Sequence, residues 1–303
     1  MKTNSDRLVM LSVTGQVSSP MMAAGGYRIA GNTGAPVILP GVGGITYNIK
    51  VGDSACGWVA DHVEPGVSVK NPSPGEGNRS ANNALNILAA IGNDAVVISG
   101  DAKGAKGTVT GKHGGIEHVL MDFDAAALQK LAIGDRIMVR ALGTGLKLDG
   151  FDHIKIMNLD PRLLAKMKVR AVGNKVEVPV ACVVPAKLMG SGIGKAHAHS
   201  GDYDIQLLDG KTIEKLGLAD IRLGDIVAIK DADHTFGRMY RKGSMTIGVV
   251  VHSDCVLSGH GPGVTTIMTS SGGRIIPRID AGANIARLLK IGTYRTKGRG
   301  GKR

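Results

Sequence analysis

The chain reads as a mostly β protein with two domains, each a β-barrel or distorted sandwich closed by a few short capping helices. Three observations predict this. Its 303 residues exceed the roughly 100–200 that one domain commonly holds. Its 45 glycines, set against three Phe, five Tyr and one Trp, call for tight turns around a core of Val, Ile, Leu and Ala. Most segments alternate apolar and polar residues between glycine-rich turns, the cadence of antiparallel strands.

In chain order the β-branched, alternating runs place strands at 95–100, 107–112, 117–123, 136–142, 176–184, 203–208, 225–231, 245–252 and 263–270. The few helices carry their own punctuation. Ser80 precedes ANNALNILAAI and Gly92 follows it; Asp124 precedes AAALQKLAI; Asp160 and Pro161 open RLLAKM; Asp280 opens AGANIARLLKI before Gly292. A side-chain oxygen at the start accepts an otherwise unpaired N–H, and glycine at the end tolerates a left-handed exit. LQKLAIGDRIMVRA (128–141) and LADIRLGDIVAIKD (218–231) echo each other, with a Gly-Asp turn feeding alternating aliphatics. We read one small barrel in each half, 1–155 and 156–303, with the join between Leu148 and Val169.

The net charge is +12, and Arg295, Lys297, Arg299, Lys302 and Arg303 crowd an acid-free ending. Such a tail attracts phosphates, so nucleic acid is a candidate partner through it. Scarce aromatics argue against a base-stacking platform. Edge strands of small barrels pair between subunits, which makes a homo-oligomer the expected assembly. Cys56, Cys182 and Cys255 lie far apart with no CxxC spacing, so they fit a reducing cytoplasm better than a disulfide framework or zinc ribbon. No apolar run approaches the roughly 20 residues of a membrane span, so the expectation is a soluble intracellular protein with no membrane partner. GxSxG, Walker A and HExxH patterns are absent from the sequence.

The stretch VVISGDAKGAKGTVTGKHGGIEHVLMDF (96–123) resembles the KOW motif of SH3-like barrels. That resemblance implies positive-φ turns at Gly104 and Gly107, with Lys103, Lys106 and Lys112 at a nucleic-acid-facing tip. YNIKVGDSACGWVADHVEPGVSV (47–69), SGDAKGAKGTV (99–109) and VVVHSDCVLSGHGPGVTTIM (249–268) together resemble a prokaryotic family of unknown function, DUF4438. The resemblance implies a two-part, mostly β protein and no activity.

The chemistry concentrates in three segments of the second half. KAHAHSGDYD (195–204) sets His197 and His199 on one face if extended, with Asp202 and Asp204 just beyond. Two imidazoles spaced this way, about 6–7 Å apart at Cα, can converge on one ion. DADHTFGR (231–238) and HSDCVLSGHGPG (252–263) follow apolar strands, where side chains collect at a barrel mouth. The expected metal ligands are His197, His199 and Asp233, for a divalent ion such as Zn²⁺, Mn²⁺, Fe²⁺ or Ni²⁺. The expected catalytic residues are Asp231, His234, His252 and Asp254. Arg238, His260 and Gly261 are expected to hold a small-molecule substrate, joined by Arg79 from the Gly/Pro-rich loop at 71–83 that feeds a helix N-terminus. Asp61, His62 and Glu64 form a second group, whose relation to the first the sequence leaves open.

The expected function is therefore a small-molecule-binding protein or enzyme, above all a metal-assisted hydrolase. In it Asp231 or Asp254 takes a proton from a metal-activated water; a metal-free version uses His234 or His252 as base. The alternatives are a nucleic-acid or ribosome-associated binding protein and a self-assembling structural protein.

Overall fold

The structure, a computed structural model, describes residues 1–22, 25–72 and 76–296. Strands hold 35% and helices 15% of it, so the β expectation stands. The first half contains β1 (Leu11–Val17), β2 (Arg28–Ile29), β3 (Pro36–Val37), β4 (Ile45–Thr46), β5 (Gly66–Lys70), β6 (Asp94–Val97), β7 (Lys106–His113), β8 (His118–Asp122) and β9 (Arg136–Ala141). Hydrogen bonding runs β1-β9-β6-β7-β8-β5 and returns from β5 to β1, closing a six-stranded barrel with β4 as an extra strand beside β5. Closure leaves those six strands without a free edge. Val13, Val69, Val109, Val119, Ile137 and Val139 fill the interior, and α1 (Glu76–Leu88) and α2 (Ala125–Lys130) add Leu85 and Leu128 to the same core.

The second half is the sandwich version of the prediction. β10 (Lys155–Ile156), β11 (Arg170–Val172), β12 (Lys175–Val180), β13 (Cys182–Pro185), β14 (Ile226–Asp233), β15 (Met239–Val250), β16 (Val264–Ser270) and β17 (Ile275–Ile279) divide into two sheets. One has the order β10-β16-β15-β14-β13 and the other β11-β12-β17. Val176, Val178 and Val180 of β12 share a core with Ile226, Ile247 and Ile267 of the larger sheet. Leu120, Leu146 and Leu148 of the first half belong to that core too, so the halves meet through continuous apolar packing.

The caps follow local chemistry. Asp124 accepts from the N–H of Ala127, and Asp160 accepts from Arg162 at the start of α3 (Pro161–Lys166). α4 spans Gly210–Leu216. α1 begins at Glu76, before Ser80, and Asn284 rather than Asp280 caps α5 (Ile285–Leu289). Asp280 instead accepts from the N–H of Gly282, making a turn. The sequence echo is real at the turns: Asp135 and Asp225 each accept from the N–H three residues back, Ala132 and Arg222, behind positive-φ Gly134 and Gly224.

Some expectations change. The run 176–184 breaks into β12 and β13, and 203–208 is no strand but a loop pinned by the bridges Asp204–Gly263 and Ile205–Met189. In the KOW-like segment Gly104 has positive φ and Lys103 and Lys106 are exposed. Gly107 does not have positive φ; a Cβ there would press on Phe123, so it serves close packing. Lys112 is fully buried rather than at the tip, its ammonium bonded to Asn158 Oδ1 and the carbonyl of His199. Arg295 pairs with Asp122, while Lys297, Arg299, Lys302 and Arg303 lie outside the described residues. All three cysteines are free, and no described helix is long and apolar enough to cross a membrane.

Candidate metal centre

Backbone bonding between the halves builds the site. The N–H of His62 donates to the carbonyl of Asp254, while Val63 and Ser253 exchange two bonds: Val63 N–H to Ser253 Oγ, and Ser253 N–H to the Val63 carbonyl. This laces the loop before β5 to the loop after β15. His62 takes a left-handed backbone (φ 57°) to make the turn. β7 delivers His113 at its last residue, and the loop that runs through residues 202–208 delivers Asp202 and Asp204.

Four imidazoles meet there. Ring centroids lie 4.1 Å apart for His113 and His252, 5.2 Å for His62 and His252, and 5.1 Å for His62 and His260. Potential ligand atoms of His113, Asp202 and His252 all fall within 4.8 Å of one another, and so do those of His62, Cys255 and His260. Asp204 sits between the groups. Its Oδ1 is 3.6 Å from His252 Nε2, and its Oδ2 is 3.1 Å from His260 Nδ1 and 3.8 Å from His62 Nε2.

The outer nitrogens are anchored. His252 Nδ1 donates to the Ser253 carbonyl (2.8 Å), so Nε2 is the nitrogen that faces Asp202 Oδ2 at 2.6 Å and donates its proton there in the metal-free protein. His113 Nδ1 lies 2.6 Å from Glu64 Oε1, and His62 Nδ1 lies 3.1 Å from Asp61 Oδ1. Glu64 is buried and also takes Gly43 N–H, Ser68 Oγ and His118 Nδ1. Holding one imidazole nitrogen with a carboxylate or carbonyl fixes tautomer and ring orientation, as outer partners of metal-bound histidines do. Asp202 is steadied by Gly114 N–H at 2.8 Å. Gly263 completes the cradle, because a Cβ there would overlap Asp202 Oδ2 and His252 Nε2.

Burial alone would neutralise these groups, yet mutual pairing keeps them charged. Burial opposes ionisation of Glu64, but His118 and His113 hold its carboxyl well below the usual range. Asp202 and Asp204 are likewise lowered against burial, Asp202 by His252 and His113, Asp204 by His252, His260 and His62. For His62 and His252 burial disfavours the cation, but the carboxylates raise both above the ordinary imidazole value. Buried Asp61 is held low by His62, Cys255 and Arg28. A divalent cation placed here replaces protons as the neutralising charge.

The expected residues divide. His252 and His260 are members. Asp254 lines the rim: its carboxylate accepts from Gly57 N–H, its Oδ1 is buried without a partner among the described residues, and burial raises its carboxyl. Gly261 packs on the Ile205 carbonyl, where a Cβ would not fit. Buried Arg238 donates to the Ser200 carbonyl at 3.0 Å, and burial lowers its pKa. His234 stands apart, bonded to Thr266 Oγ1 and pushed by burial down to about 3, so it stays neutral. Asp231 accepts from Gly243 N–H at a strand bulge, and Asp233 takes Thr235 N–H and Arg241. His197 and His199 are exposed, with ring centroids 6.3 Å apart, and the structure does not bring Asp233 into a ligand group with them. Arg79 is exposed on α1.

Sequence reasoning missed His113 and His118, which flank the β7–β8 turn as HGGIEH, and it gave Cys255 no part in the site. The His62 group shares its pocket with the second-half histidines.

The chain belongs to the family described as domain of unknown function DUF4438. The model of its N-terminal domain matches residues 27–165, and that of its C-terminal domain matches 166–289. No curated protein matches. Among solved structures, one titled "Crystal structure of TM1086" is 48% identical, covers 94% of this chain and 98% of its own, and superposes with a TM-score of 0.88.

Proposed function

We propose that this DUF4438 chain is a metal-dependent hydrolase of a small molecule. One observation carries the reading: His113, Asp202 and His252, all buried, converge with the imidazoles anchored from behind by Glu64 and the Ser253 carbonyl. Two nitrogens and one carboxylate oxygen make a three-ligand set of the kind that leaves a coordination position open for water. Zn²⁺, Mn²⁺, Fe²⁺ and Ni²⁺ accept such donors.

A bound divalent ion supplies Lewis acidity and makes water a nucleophile near neutral pH. The protein does the rest. Asp204 Oδ1, 3.6 Å from His252 Nε2, would take the proton that an attacking water loses. The water oxygen would bond the electrophilic centre as the scissile bond breaks, and Asp204 would return the proton to the leaving group. Asp204 thus fills the role expected of Asp231 or Asp254, whose carboxylates are turned to Gly243 and Gly57. His260, with 34% of its side chain exposed, marks where the centre opens. An apolar groove of ≈ 590 Å³, lined by Tyr47, Trp58 and Val59, shares Met21, Met22 and Gly41 with a small cavity beside Asp61 and Arg28, which suits a substrate with an apolar part.

The test is plasma mass spectrometry of untagged protein purified without chelators, alongside His113→Ala/His252→Ala. Near-stoichiometric metal that the double variant loses supports the reading and licenses a hydrolase screen. Metal-free native protein that also takes up none of the four ions on dialysis overturns it.

A further inference from the structure

We infer that the centre holds two ions, the second at a thiolate-containing position formed by His62, His260, Cys255 and Asp204. This rests on the metal reading above and deepens it. The spacings are those of ligands around a common point. A tetrahedral site with metal–nitrogen and metal–oxygen bonds of about 2.0–2.1 Å has ligand–ligand edges of about 3.3–3.4 Å. His62 Nε2 to His260 Nδ1 is 3.1 Å, His260 Nδ1 to Asp204 Oδ2 is 3.1 Å, and His62 Nε2 to Asp204 Oδ2 is 3.8 Å. Three donors from three separate segments therefore already outline one face of a coordination shell. Cys255 Sγ belongs to the same group as the two imidazoles.

The two positions differ in softness. His113, Asp202 and His252 offer nitrogen and oxygen, whereas the second position adds sulfur and so favours Zn²⁺ and other thiophilic ions. Cys255 donates its S–H to Asp61 Oδ1 at 2.9 Å, and Arg28 grips the other oxygen of Asp61 at 2.7 Å. Ion entry replaces that thiol proton, which passes to solvent, and leaves Asp61 paired with Arg28 and His62. Asp204 links the sites without losing its role. Oδ2 would ligate the second ion while Oδ1 stays 3.6 Å from His252 Nε2 of the first.

The experiment is reloading of stripped, full-length protein with Co²⁺ as the sole metal, read by cobalt content and by the near-ultraviolet thiolate-to-cobalt charge-transfer band. Native protein should hold about two cobalt ions per chain and show the band. Cys255→Ser should lose the band, and His260→Ala, at a partly exposed position, should fall to about one ion per chain. His113→Ala/His252→Ala should keep the band. About one ion with no band in native protein overturns the second site and leaves the hydrolase reading standing. A band unchanged in Cys255→Ser also overturns it, since the thiolate would then be Cys56 or Cys182. No cobalt in any form sinks both proposals together.

Discussion

Two histidine-rich regions of this molecule invite opposite conclusions from sequence and from structure. His197 and His199 have the spacing of strand-borne ligands, yet they lie exposed on a loop. Burial lowers the affinity of both for protons, and the cations around them, Lys195 and Arg238 for His197 and Lys112 for His199, lower it further. The cations nearby repel a divalent ion as they repel a proton. His62, His113, His252 and His260 have no shared spacing at all, yet they converge among Asp61, Glu64, Asp202 and Asp204. What separates the regions is the sign of the surrounding charge and the anchoring of the ring nitrogens.

The strongest way to break this contrast is to remove the anchor. Glu64→Ala leaves His113 and His118 buried without their carboxylate, and truncating one partner of a buried ionic group costs about 3–5 kcal/mol. Denaturant unfolding should show a loss of that order and mass spectrometry a loss of metal; an unchanged midpoint would mean that the anchoring is incidental. Next comes Gly263→Ala, whose methyl group intrudes on Asp202 and His252. Distorting the cradle should weaken metal affinity by about 10–100-fold in a competition titration, the range seen when outer partners are lost.

The pH response sharpens the comparison in metal-free protein. His62 and His252 have pKa values raised above 6.5, so their contribution to stability is complete below 6.5 and is lost as pH rises through the folded values. The depressed carboxyls of Glu64, Asp202 and Asp204 act on the other side: their contribution is present above the unfolded carboxylate range and is lost as pH falls through their folded values. Melting curves of chelator-treated protein should therefore drop in midpoint as pH rises above about 6.5, and added Zn²⁺ should flatten that decline because the ion replaces the lost protons. The smallest effect belongs to His197→Ala/His199→Ala, which should leave metal content intact and stability within about 0.5 kcal/mol. Loss of metal in that variant would restore the sequence-based site.

Much of the fold was legible, and the reasons are local. Asp124 and Asp160 cap helices because their side chains reach N–H groups two or three residues ahead. The Gly-Asp turns at Asp135 and Asp225 repeat because each carboxylate reaches three residues back. The site was only half legible. His252 and His260 stood out beside glycines after an apolar strand, but His113 looked like part of a lysine-bearing turn. Asp202 and Asp204 were visible for the wrong reason, as neighbours of His197 and His199, when their partner is His252.

By itself the sequence determined the β architecture, the Asp124 and Asp160 helix caps and the paired Gly-Asp turns, because each depends on residues within a few positions of one another. It also determined which chemistry was on offer: imidazoles, carboxylates and thiols, many of them in segments that follow apolar strands. Only the tertiary structure decided which of these meet. His62 and His260 lie 198 residues apart in the chain and 3.1 Å apart at their ring nitrogens. That contact exists because a closed barrel and a sandwich share a core and lace their loops through His62, Val63, Ser253 and Asp254. Long-range convergence of this kind is set by packing and charge, and it leaves no periodicity in the sequence to read.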